Sequence, residues 1–167
     1  MFKTELHCHS KDISQCAKVD RNEIIDTFVK SGYSTLVLAN HLNSWTANVI
    51  CPNDWNGFVD KFYDAYENLK RDADGKLNVL FGAELRFNGN NNDYLVFGMT
   101  KEFLYEHPDI FDLHAEKFHN LAKENNMLFV QAHPFRKMMI RINPAYLDGA
   151  EIHNGKANLE SNLAAAE

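Results

Sequence analysis

Apolar runs of strand length recur along this chain between stretches patterned for helices, and several of the runs deliver a histidine or a glutamate at their ends. Residues 2–8, 33–39, 77–85, 94–99, 127–132 and 149–152 read as strands. Between them, Asp20-Arg21-Asn22-Glu23 has the spacing of a capping box ahead of an apolar stripe at Ile24, Ile25, Phe28 and Val29, closed by Gly32. Trp55, Phe58, Val59, Phe62, Tyr66 and Leu69 repeat with helical spacing, as do Phe111, His114, Phe118, Leu121 and Ala122, and residues 157–167 look helical again. The run Asn88-Gly89-Asn90-Asn91-Asn92 is a turn, so the strands on either side of it can form a hairpin. Strands alternating with helices argue for an α/β fold with a mainly parallel sheet, because each parallel crossover needs a helix to return the chain. His9, His41, Glu84 and His133 fall at or just beyond the C-terminal ends of different strands. In a β/α barrel those ends converge on one face, where active sites are built. A doubly wound sheet gathers strand ends as well, but no glycine-rich phosphate turn follows the first strand, and the barrel is the preferred expectation.

The first strand carries Thr4-Glu5-Leu6-His7-Cys8-His9-Ser10. Side chains two apart on a strand share a face, so the His7 and His9 imidazoles can reach one point, whereas Cys8 should point into packing. Cys8, Cys16 and Cys51 are an odd number without Cys-x-x-Cys spacing, which argues against a disulfide framework and a zinc knuckle. At 167 residues and 45% hydrophobic content the chain suits one domain with a core, residues 1–167. A formal charge of −6 without a basic block makes nucleic acid an unexpected partner. There is no apolar signal-peptide core and no run of apolar residues long enough to span a membrane, so no membrane association and a cytoplasmic location are expected.

Several imidazoles converging with a carboxylate suit zinc, manganese or iron(II), and the donor chemistry does not choose among them. A closed structural zinc site more often uses cysteines in pairs. Open coordination positions, and so catalysis, are the expected use. Glu5-Leu6-His7-Cys8-His9-Ser10, Ala39-Asn40-His41, Gly82-Ala83-Glu84, Gln131-Ala132-His133-Pro134-Phe135-Arg136 and Asp148-Gly149-Ala150-Glu151-Ile152-His153-Asn154-Gly155 resemble, in order and spacing, the successive motifs of the PHP (polymerase and histidinol phosphatase) superfamily. The resemblance implies a distorted seven-stranded, TIM-like β/α barrel with two or three divalent metal ions that hydrolyses phosphoesters. It implies His7, His9 and Glu84 as ligands of one metal, Glu84 as the bridge to a second held also by His133, and His41 as a ligand of a third. Asn154 is implied to be structural, with His153 facing packing or solvent.

The chain departs from the family pattern in three places. Ala39-Asn40-His41 stands where Thr-Asp-His is usual, removing a negative charge. The closing Asp-x-His of a seventh strand is not found, so the barrel is expected to lack its last strand in this chain. Where a histidine often follows the Glu motif, Asp93 could serve as a ligand or could sit at an exposed hairpin tip. Arg136 and Arg86 are candidates to neutralise a phosphate through the planar guanidinium fork, or are solvated loop charges. The expected activity is metal-dependent hydrolysis of a small phosphorylated substrate, with Glu84, Arg136 and Arg86 in the catalytic machinery. Two alternatives remain open: a degenerate PHP domain acting as a scaffold or regulatory module, and a metal-dependent hydrolase of a non-phosphate substrate. Open strand edges would favour a homo-oligomer.

Overall fold

Six strands line up in chain order in one curled sheet: β1 Thr4–Cys8, β2 Thr35–Leu42, β3 Asn78–Leu85, β4 Tyr94–Phe97, β5 Leu128–Gln131 and β6 Gly149–Ala150. The computed structural model from which they are taken describes residues 2–166. β1, β2 and β3 are parallel, as are β5 and β6, but β4 runs antiparallel to both of its neighbours. The arrangement is a six-stranded half-barrel, consistent with part of a TIM-like barrel; among the described residues nothing pairs with the outer edge of β1 or of β6. The reversal at β4 follows from the link after β3, which is a short turn and holds no crossover helix.

Helices α1 Arg21–Lys30, α3 Trp55–Ala73 and α5 Ala115–Glu124 occupy the three places where helical stripes are expected. α3 buries Phe58, Val59, Phe62, Ala65, Tyr66 and Leu69 against the convex face of the sheet, meeting Leu36, Leu38, Val79 and Leu85. His114 caps α5 instead of joining its stripe, and Phe111 belongs to a short turn of 3-10 helix before it. Two short helices, α2 Ser44–Ile50 and α4 Lys101–Glu106, begin where Asn43 and Thr100 side chains accept from backbone N–H groups. α6 Leu159–Ala166 ends the described chain. No described helix is long and apolar enough to cross a membrane.

The concave face has a smaller core of Ala39, Leu95 and Ala132, flanked by Phe97 and Val130. It is tight at its centre: a Cβ on Gly82 would lie 2.6 Å from Val37 Cγ1 and 3.3 Å from the Val96 carbonyl oxygen. Small residues here let the sheet curl enough to bring strand ends together. At the opposite end the same face is open, with Leu80 44% and Leu128 55% exposed.

Candidate metal centre

Strands β1 to β5 carry the side chains of the centre to one rim of the half-barrel. His41 and Glu84 are register partners on β2 and β3. A register shift in β1 between Glu5 and Cys8 marks a bulge, a common device for re-aiming side chains beside a site. His7 and His9 then face the rim with ring centroids 4.9 Å apart, while Cys8 is buried in the main core. Because β4 is antiparallel, its first residues lie beside the last residues of β3 and β5, and this places Asp93 on the rim. His133, two residues beyond β5, takes a left-handed backbone conformation with φ of 29°. A non-glycine residue held there costs on the order of 1–3 kcal/mol, a strain typical of functional sites.

Glu84 sits at the middle, 2% exposed. Its Oε1 lies 3.1 Å from His7 Nε2 and accepts a 2.9 Å hydrogen bond from His133 Nε2; its Oε2 lies 3.6 Å from His9 Nε2 and 2.5 Å from His41 Nδ1. Four imidazoles from three segments of the chain thus surround one carboxylate. Hydrogen bonding does not account for the cluster. His7 Nε2, His41 Nδ1 and Glu84 Oε2 are buried at these short distances without an acceptably aligned partner. An unsatisfied buried polar atom costs about 1–3 kcal/mol, so lone pairs gathered in this way are the geometry of a cation site rather than of a packed core. Combinations of His7, His9, Glu84, of Glu84, Asp93, His133 and of His7, His133, Glu151 each hold donor atoms within 4.8 Å of one another. The set is imidazole and carboxylate, fitting divalent zinc, manganese or iron.

The electrostatics have the same focus. Burial alone would lower the His7 pKa, but the Glu151 and Glu84 carboxylates beside it outweigh burial and push it up to about 10. His41 is likewise opposed by burial and raised to about 9 by Cys16 and Glu84. Burial prevails at His9, lowering it to about 3, with the neighbouring His41, His7 and Lys156 charges working in the same direction. Burial would raise Glu84, yet contacts from His133, His41 and His7 hold it well below the usual carboxylate range.

Sequence reasoning missed Glu151. Its Oε1 is 3.0 Å from His7 Nδ1 and its Oε2 accepts from the His133 backbone N–H at 2.8 Å, so one carboxylate orients two members of the centre. The signal was available, since Glu151 follows β6 much as Glu84 lies one residue before the end of β3, but a two-residue strand shows no alternation from which to read a face. Asn154 supports Glu151, donating from Nδ2 at 3.2 Å, and pairs with Asn162. Asn40, in place of the usual Asp, is buried and ties down the loop after β1: its Oδ1 accepts from Ser10 N–H at 2.8 Å and Ser14 Oγ at 2.9 Å.

The two arginines part company. Arg86 directs Nε and Nη2 onto the two oxygens of Asp93 at 2.6 and 2.7 Å, so the edge of its guanidinium expected to meet a phosphate is already engaged. Asp93 is no exposed hairpin tip; it is 1% exposed and 3.8 Å from His133 Nε2. Arg136 is exposed, lines the cleft and makes no side-chain hydrogen bond or ion pair among the described residues. The cleft has a volume of about 930 Å³, and Lys18, Lys156 and His153 join Arg136 in its lining. His107 and His119 lie away from it, in helical packing.

No protein-family model matches the chain. No curated protein is similar to it at a significant level either. Among solved structures, it is similar to a Bifidobacterium adolescentis protein provisionally described as a metal-dependent phosphoesterase, with a TM-score of 0.60 at 11% identity over 98% of this chain and 81% of that one. It is also similar to Endonuclease Q, solved with a 27-mer duplex bearing an abasic lesion at the active site, with a TM-score of 0.55 at 14% identity over 93% of this chain. The match spans only 40% of Endonuclease Q. At such identities the likeness is one of fold, and at that level it agrees with the resemblance carried by the motifs.

Proposed function

We propose that the protein is a metal-dependent phosphoesterase whose centre is built on Glu84. The carrying observation is the single buried carboxylate within 3.6 Å of His7, His9, His41 and His133. His7, His9, Glu84, His133 and Asp93 would hold two ions, with Glu84 shared between them, and His41 would contribute to a third. Divalent ions there would supply Lewis acidity toward a phosphoryl oxygen and a water-derived nucleophile near neutral pH. The protein's own part is orientation. Glu151 engages His7 Nδ1, leaving Nε2 directed at Glu84, and Arg86 fixes both oxygens of Asp93. Arg136, Lys18 and Lys156 supply positive charge to the cleft for an anionic substrate.

A small phosphomonoester is the first substrate reading. The fold of Endonuclease Q favours a second, a phosphodiester within nucleic acid, against which stands the net charge of −6. Turnover of an aryl phosphate and of a bis-aryl phosphate by the metal-loaded protein separates monoesterase from diesterase. Glu84→Gln should abolish either activity with the circular dichroism spectrum unchanged, because a neutral amide cannot bridge two cations as a carboxylate does. Unchanged turnover in that variant would refute the assignment.

A further inference from the structure

Cys16 has no role in the centre as described so far, yet it is directed at it. Its Sγ lies 3.3 Å from His41 Nε2, and donor atoms of Cys16, His9 and His41 all fall within 4.8 Å of one another. The His9 and His41 rings are stacked with centroids 4.6 Å apart. We propose that Cys16 and His41 form the sulfur and nitrogen ligands of the third cation site, at the cleft mouth beside the ion held by His9, selective for a thiophilic divalent ion such as zinc or iron(II). The inference rests on the metal-centre reading above and deepens it by assigning one site its ligands and its preference.

Three observations carry it. The two nitrogens of His41 serve different neighbours: Nδ1 is turned to Glu84 Oε2 at 2.5 Å, and Nε2 is left for Cys16, on the side away from Glu84. The loop carrying the thiol is held in place. Ser14 Oγ donates to Asn40 and accepts from the His41 backbone N–H at 2.9 Å, Ile13 is buried, and Ala17 N–H donates to the Ser14 carbonyl at 3.0 Å. The sulfur is therefore positioned by the same residues that position His41. Finally, a thiolate prefers zinc or iron(II) over magnesium or manganese, whereas the ligands around Glu84 carry no sulfur.

A competing use of the same atoms is a nucleophilic thiol activated by His41, with Glu84 as the orienting carboxylate. Glu84 is poorly suited to that part, since it is shared among four imidazoles rather than dedicated to one.

The experiment is a cobalt(II) titration of the metal-free full chain, followed by absorbance, with wild type beside Cys16→Ser. Wild type should develop a thiolate-to-cobalt charge-transfer band in the near ultraviolet. Cys16→Ser should lose the band, still bind cobalt at the Glu84 centre, and bind its most weakly held ion about 10–100-fold more weakly or worse. Bound zinc should also slow alkylation of Cys16 by iodoacetamide, read by peptide mass spectrometry. Cobalt binding without the band, the same band in Cys16→Ser, or alkylation equally fast with and without zinc would each overturn the Cys16 site while leaving the Glu84 centre intact. No cobalt binding at all would overturn both.

Discussion

Of the histidines around Glu84, His7 and His41 must give up a proton to serve as ligands, and the metal-free chain should reveal this in its stability. His7 and His41, raised to about 10 and about 9 from an ordinary 6.5, contribute stability that is complete below pH 6.5 and is lost as pH rises through those values. His9, lowered to about 3, works the other way: below pH 6.5 the unfolded chain takes up a proton that the folded chain refuses, so stability falls on acidification. Glu84, held below its ordinary 4.5, adds stability present above that value and lost as pH falls further. The urea midpoint of metal-free protein should therefore peak near pH 6.5 and decline on both sides. A midpoint that climbs steadily from pH 6.5 toward 9 would show that His7 and His41 are not charged in the folded state. Metal uptake at neutral pH should release protons, detectable by calorimetry in buffers of different ionisation enthalpy. At this scale the histidines were legible because a strand's two-residue period and its C-terminal end are sequence properties. Glu151 and Cys16 were not: one follows a strand too short to show alternation, and the other lies in a loop whose path is set by Asn40, 26 and 30 residues from the atoms it holds.

Among the elements, β3 and β4 have most to do with site geometry. Gly82 admits no Cβ without moving Val37 or the β4 backbone, so Gly82→Ala should cost about 1–3 kcal/mol in urea unfolding and lower metal affinity by shifting Glu84, two residues on. Stability equal to wild type would mean that the sheet can flatten there freely. Arg86→Met should leave buried Asp93 without its bidentate partner, costing the metal-free protein about 1.5–3 kcal/mol. Saturating zinc or manganese should recover part of that loss if Asp93 is a ligand, and none of it if Asp93 only pairs with Arg86. Helices with long stripes, α1 and α3, could be read from periodicity, whereas α2 and α4 span only seven and six residues and show too little of a repeat. The antiparallel course of β4 was foreshadowed by the Asn-rich turn after Phe87. Its consequence, the delivery of Asp93 to the rim, depended on pairing with β5 and was not legible locally.

For the molecule as a whole, the half-barrel leaves the outer edges of β1 and β6 unpaired among the described residues, with apolar side chains open on the concave face. Unpaired strand edges invite pairing with another chain. The 167-residue protein should accordingly show concentration-dependent association in sedimentation velocity. A strictly monomeric protein with β1 amides protected from hydrogen exchange would contradict that expectation. The central claim, that Glu84 and the surrounding imidazoles are a metal centre, is tested most directly by anomalous diffraction from crystals grown with zinc. The account predicts anomalous peaks about 2.0–2.2 Å from a Glu84 carboxylate oxygen and from ring nitrogens of His7 and His133. A map without peaks there, with the imidazoles hydrogen-bonded directly to Glu84 at saturating zinc, would contradict it.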